Sequence, residues 1–164
     1  MGDQVWSRRS FLKGLVVGHL LLVGCTPAPK QIVGVERTAG GVGKVLIAPC
    51  PGYVAQVVGV SADKGAPRWS VWNSPGTRDV SEVEFFRAPD GWRVSKASLT
   101  DLKTGDDTFS AGVMGGIAGR GLNGDVTFDL DRFEGLGDGE VIVGDNKVVK
   151  RADFMKADSD RCEP

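Results

Sequence analysis

From residue 44 to the C-terminus, apolar side chains recur at every second position and not at the helical spacing of about 3.6. Val126, Phe128 and Leu130 alternate with Asp125, Thr127, Asp129 and Asp131, so one face of a strand is apolar and the other is solvated. Ser81 to Phe86 repeats the pattern, with Val83 and Phe85 inward and Glu82 and Glu84 outward. Further strands are predicted over 44–48, 53–61, 68–73, 92–96, 108–114, 140–144 and 147–150, segments rich in Val, Phe and Trp. Turn chemistry separates them. Pro89-Asp90-Gly91 reads as a tight hairpin, Asp145-Asn146 as a two-residue primed turn, and Thr104-Gly105-Asp106-Asp107 as a polar turn. Only residues 151–160, with Phe154, Met155 and Ala157, fit a short helix, and it ends just before Cys162. About eight or nine short strands, spaced by about ten residues, predict an all-β antiparallel sandwich or barrel. There is no internal repeat.

The N-terminal stretch obeys a different logic. Ser7-Arg8-Arg9-Ser10-Phe11-Leu12-Lys13 puts two arginines directly before a short apolar run, which closes on Leu22-Val23-Gly24-Cys25. A basic segment, an apolar segment and a small residue at the cleavage point are the parts of a secretory signal. The stretch resembles a twin-arginine export signal that ends in a bacterial lipobox. That resemblance implies that Arg8, Arg9, Phe11, Leu12 and Lys13 are read by the twin-arginine translocase, which carries folded proteins. Gly14, Gly18 and His19 keep the apolar run only mildly hydrophobic, which suits that route. It further implies that the Cys25 thiol takes a diacylglyceryl group, with acyl chains such as palmitate, and that cleavage leaves Cys25 as the first residue. Each buried methylene contributes about 0.8 kcal/mol, and two acyl chains anchor stably where one does not. The apolar run from Gly14 to Gly24 covers 11 residues, whereas a spanning helix needs about 20. The expected mature protein is therefore anchored to the extracytoplasmic face of the cell membrane without crossing it. Residues 1–24 form the signal and 25–43 a lipidated tether, unless Ile32, Val33 and Val35 instead open a first strand; residues 44–164 form the β-rich domain.

Export makes the cysteines informative. With Cys25 lipidated, Cys50 and Cys162 remain as an even pair on the oxidising side of a membrane, which favours a disulfide. Such a bridge closes a loop of about 110 residues, for which chain entropy allows roughly 4–5 kcal/mol. Ligation of a metal by these two thiols would lack an imidazole partner. The one histidine, His19, lies in the signal, so Ser-His-Asp and Cys-His catalysis and the usual zinc sites have no residue to use. Of the 20 basic and 21 acidic side chains, three and one fall within the first 24 residues, leaving the rest mildly acidic. That balance supplies no footprint for nucleic acid or anionic lipid.

Candidate sites are few. Trp69 and Val71 share one face of their strand and Trp72 points to the other, with Trp92 beyond the next strand. Trp72 and Trp92 are the candidate ligand-binding residues, a stacking platform for a sugar or peptide, against the alternative that tryptophan packs the core. Asp125, Asp129 and Asp131 project from one strand face, but calcium needs about six to eight converging oxygens and strand carboxylates diverge. No two of Glu82, Glu84 and these aspartates stand out as a hydrolytic pair. The glycine-dense stretch from Gly112 to Gly124 lacks the Gly-Lys-Ser/Thr ending of a phosphate loop and reads as a strand followed by a mobile loop. The sequence assigns no catalytic residue, metal or cofactor. The mature region also resembles a set of uncharacterised secreted lipoproteins of Gram-positive bacteria. It shares Pro49-Cys50-Pro51, a Trp-containing strand, the turn Pro89-Asp90-Gly91-Trp92, and Phe154 ahead of Cys162. This resemblance implies a β-rich exported domain without an assigned activity. The expected function is a non-enzymatic binding or structural module that meets a wall component, ligand or partner protein. The alternative is a carboxylate-based enzyme or a cofactor-bearing accessory subunit of a cell-envelope complex.

Overall fold

The computed structural model describes residues 31–62, 66, 68–75, 78–103, 108–144, 146–156, 158 and 160–163. The export motif, Cys25, the turn from Thr104 to Asp107, and Asp145 lie outside the described residues. Ten strands follow in chain order: β1 (Val33–Arg37), β2 (Gly43–Ile47), β3 (Tyr53–Ala62), β4 (Arg68–Trp72), β5 (Glu82–Glu84), β6 (Arg93–Ala97), β7 (Thr108–Ile117), β8 (Arg120–Asp129), β9 (Glu140–Val143) and β10 (Lys147–Lys150). Two short helices, α1 (Leu130–Glu134) and α2 (Arg151–Phe154), and a 3-10 turn over Asp160–Cys162 complete the described elements. The strands form two five-stranded sheets, ordered β10-β9-β1-β2-β5 and β6-β4-β3-β7-β8, and every pairing is antiparallel. The sheets stay separate, so the fold is a β-sandwich and not a closed barrel.

All nine segments with period-two patterning are strands, and β1 is the tenth. It pairs with β2 on one side and β9 on the other, in the middle of the first sheet, with Val33 and Val35 fully buried. Residues 32–43 therefore belong to the sandwich, which decides between the two readings of that stretch. Other expectations need correcting. Pro89-Asp90-Gly91 is a turn, closed by the Trp92 amide donating to the Pro89 carbonyl at 3.0 Å, but it is no hairpin. It carries the chain from β5 in the first sheet to β6 in the second. The glycine-dense stretch is no mobile loop. β7 and β8 pair without interruption from Thr108 opposite Asp129 to Ile117 opposite Arg120. Ala118 and Gly119 close them with φ of 50° and 81°, the doubly positive geometry of a tight hairpin. Leu130 and Asp131 leave the strand for α1, because the chain turns there to bring Phe133 under the core. The C-terminal helix stops at Phe154.

The core explains this break in the alternation. Phe85 from the end of β5, Phe109 and Phe128 from β7 and β8, and Phe133 from α1 form one aromatic ladder. Phe128 lies 6.3 Å from Phe85, 5.9 Å from Phe109 and 5.8 Å from Phe133, centroid to centroid. Such pairs add about 0.5–1.5 kcal/mol each beyond their buried area. The ladder joins both sheets and closes one end of the sandwich.

The outer face of the first sheet is covered by the C-terminus. Phe154 is buried where Gly34 leaves room: a Cβ on Gly34 would sit 3.3 Å from the Phe154 ring and 2.5 Å from Val141. Arg161 lies over that ring at 5.6 Å, and its guanidinium donates to the Phe154 carbonyl at 2.7 Å. Arg151 of α2 donates to Glu82 at 2.8 Å and pairs with Glu36 at 3.2 Å, while Lys44 donates to the other Glu82 oxygen at 2.6 Å. Cys50 and Cys162 are joined in a disulfide with their Cα atoms 5.3 Å apart, which fastens the end of this cover to the loop before β3.

Tyr53 gives a direct check on the other flank of the core. Its ring fills the space over Gly115, where a Cβ would come within 2.7 Å of the ring carbon bearing the hydroxyl. Its buried hydroxyl has no hydrogen-bond partner among the described residues. Burial disfavours the phenolate and pushes the hydroxyl up to about 12 from its ordinary 10.0. The folded state holds the proton more tightly, so this contribution to stability is complete below pH 10 and is lost as the pH rises towards 12. Tyr53 is the only tyrosine. A tyrosinate absorbance titration of the folded protein should therefore show one transition near pH 12. A midpoint near 10 would mean that the ring is solvated.

Candidate functional site

Two surfaces offer chemistry. The first is the outer face of the second sheet. Across an antiparallel ladder, opposed residues direct their side chains to the same side. Trp72 opposes Val57, and Val57 opposes Met114. These residues come from β4, β3 and β7 and form an apolar row over the middle of the face. Trp72 is 46% exposed and Met114 55%, and Val54, 42% exposed, lies on the same face of β3. Around them the face is paved with small residues, including Gly59, Ser70, Ser95, Ser110 and Gly112. The Ser70 and Ser95 hydroxyls bond to each other at 2.8 Å, as do those of Ser110 and Thr127 at 3.2 Å. The result is a low surface with a raised apolar row. Arg93 and Lys96 on β6 stand at one side of it, and Asn123 and Asp125 on β8 at the other.

The second surface is a cleft of about 740 Å³ at the open side of the sandwich, between the end of β8, α1 and the β9–β10 hairpin. Leu130, Leu136 and Val148 form its apolar part, and Asp129, Asp131, Arg132, Glu140 and Asn146 its polar part. Two of its carboxylates, Asp129 and Glu140, are engaged. Asn146 donates to Asp129 at 2.6 Å, and the Thr108 hydroxyl donates to the other Asp129 oxygen at 3.3 Å. Lys150 donates to Glu140 at 2.9 Å and the Gly137 amide at 3.1 Å, and these bonds hold the Glu140 carboxyl below its usual range. A general acid needs the opposite shift. Glu82 is bound to Lys44 and Arg151, so it too is committed to structure. Among the described residues no group of three or more His, Cys, Asp or Glu side chains is placed to hold a metal ion.

The structure separates the two tryptophans paired in the sequence reading. Trp72 is on the surface, whereas Trp92 is 7% exposed and belongs to the core cluster, its indole nitrogen buried without a partner among the described residues. Trp92 directly precedes Arg93, the residue opposite Trp72, so alternation turns its side chain to the other side of the sheet. They form no joint platform. Asp131 likewise departs from Asp125 and Asp129, because it lies in α1. Sequence reasoning missed Val54, Val57 and Met114. Their signal was present: Val54 and Met114 occupy outward positions of their alternation, where a solvated face would carry polar residues. Val57 was hidden by the bulge between Ala55 and Val57, which shifts the alternation by one residue.

Fold and face together define an antiparallel β-sandwich with one outer face capped by its own C-terminus and the other bearing an exposed apolar row. No family model, curated protein or solved structure matches the chain. Among the described residues no helix is long and apolar enough to cross a membrane.

Proposed function

We propose that the protein is an exported lipoprotein, anchored through Cys25 to the extracytoplasmic face of the membrane, whose β-sandwich is a non-enzymatic binding module. Its contact surface is the outer face of the second sheet. The observation that carries this reading is the row of Trp72, Val57 and Met114 on an otherwise small-residue, hydroxyl-lined face. A solvated antiparallel face ordinarily alternates to polar side chains. An aromatic anchor with neighbouring apolar groups and a charged rim is the anatomy of a contact site. The engagement of Asp129 and Glu140 in the cleft favours binding over hydrolysis.

Anchoring and contact are tested separately. Cys25→Ser should release the protein into the medium or leave the precursor uncleaved, and Arg8→Lys with Arg9→Lys should leave the precursor in the cytoplasm. Variants that still fractionate as mature, lipid-bound protein would overturn the address. For the contact surface, hydroxyl-radical footprinting should label Trp72 and Met114 strongly in dilute purified protein. In intact cells both should be protected several-fold, as expected for groups desolvated at the centre of an interface. Equal labelling in the two settings would remove the contact reading.

A further inference from the structure

We infer that the occupant of this face is a second copy of the chain, docked face to face about a two-fold axis parallel to β3. The inference rests on the proposed reading of the face as a contact surface and names what covers it.

The ladder registers arrange the outer face into rows that cross all five strands in the order β6-β4-β3-β7-β8. One row runs Arg93, Trp72, Val57, Met114 and Asn123. The next runs Lys96, Ser70, Gly59, Gly112 and Asp125. Both rows begin with a cation on β6, and the second ends with a carboxylate on β8. The face therefore carries a charge gradient across the strands, with its apolar groups near the middle.

A two-fold axis parallel to the strands and centred on β3 reverses strand order in the second copy while each row still faces its own equivalent. β6 then lies over β8 of the other copy, and β4 over β7. Lys96 meets Asp125 of the second copy, Arg93 meets Asn123, and Trp72 meets Met114. Val57 meets its own equivalent near the axis. Symmetry makes every one of these contacts occur twice, except the one on the axis. The Trp72–Met114 contact sets a thioether against an aromatic ring, which is favourable. An axis lying across the strands would instead put β6 over β6, with cation against cation. Charge thus selects one of the two in-plane axes. Facing sheets stack about 10 Å apart with a rotation near 30°, and Gly59, Ser70 and Gly112 leave room for that approach. The five strands span about 20–25 Å. A patch of that width gives roughly 1,000 Å² over two copies, the low end for a specific interface. Such a dimer is reversible in dilute solution and favoured by confinement on a membrane.

The test uses cells that export the full-length chain. Cys50 and Cys162 are bonded to each other, so with Cys25 lipidated a thiol introduced by Val57→Cys is the reactive one. A short bismaleimide that spans the gap of about 10 Å between stacked sheets should join two copies through it, giving a species of twice the mass. Adding Lys96→Glu, or Asp125→Lys, opposes like charges at two places and should lower the cross-linked yield about tenfold. Co-expressing the Lys96→Glu and Asp125→Lys chains should restore it, because each mixed pair is again opposite in sign. As a check independent of Val57, Trp72→Cys and Met114→Cys chains should cross-link when co-expressed and much less when either is alone. Absence of the double-mass species in both designs overturns the dimer. If Trp72 and Met114 nevertheless stay protected from radicals in cells, another molecule covers the face and the contact reading survives. A dimer indifferent to the charge exchanges overturns the arrangement about β3.

Discussion

Phe128→Ala should lower the unfolding free energy by about 3–5 kcal/mol, the range found for removing a buried phenylalanine. Phe128 is fully buried and stands between Phe85 and Phe133 on one side and Phe109 on the other. Its ring contacts groups from both sheets and from α1, so its removal leaves a cavity that no single element can collapse to fill. A domain of this size is typically stable by about 5–15 kcal/mol, so the loss consumes much of the margin. Urea unfolding followed by circular dichroism should show a fall in midpoint with an unchanged slope. Phe128→Leu keeps most of the volume and should cost clearly less. A loss below about 1 kcal/mol for the alanine variant would show that the ladder does not couple the sheets.

The Cys50→Ser/Cys162→Ser double variant should remain folded and exported, yet lose about 2–4 kcal/mol. The bonded residues are 112 positions apart, and Cys162 lies in the last turn of the chain. Termini fray unless tied down. Here the tie matters because the C-terminal segment covers apolar surface: Phe154 sits against Gly34 and Val141, and Arg161 covers Phe154. The salt bridges of Arg151 to Glu36 and Glu82 hold the start of this segment, but partly exposed pairs are worth at most about 1 kcal/mol each. Without the disulfide, residues 155–163 should become accessible to protease well before the sandwich unfolds. Limited proteolysis with mass spectrometry reads this, together with a lower melting temperature. Two free thiols alkylated in the natively exported protein would sink the clamp.

Much of the sandwich was legible in the chain, and the limits are physical. Val83 and Phe85 inward, or Trp69 and Trp72 on opposite faces, follow from local geometry, because successive side chains in a strand point to opposite faces. The disulfide was legible because only two cysteines remain beyond Cys25. β1 was ambiguous because its short apolar run, buried on both sides by the sheet and the C-terminal cover, does not alternate. α1 was missed because Leu130 continues the alternation of β8, and only the need to place Phe133 in the ladder turns the chain away from it.

The sequence by itself determined where nine of the ten strands are and which cysteines can meet, since each depends on near neighbours or on counting. Only the tertiary structure decided which strands share a sheet. The turn Pro89-Asp90-Gly91 looks like a hairpin, but β5 and β6 pair with β2 and β4 in different sheets. The candidate site depends on the same long-range choice. Trp72, Val57 and Met114 are scattered along the chain, and they form a row only because β3 accepts β4 on one edge and β7 on the other in a particular register. Alternation fixes the face a residue takes. It carries no information about the partner across the ladder, because any strand with a matching apolar face satisfies the same local pattern.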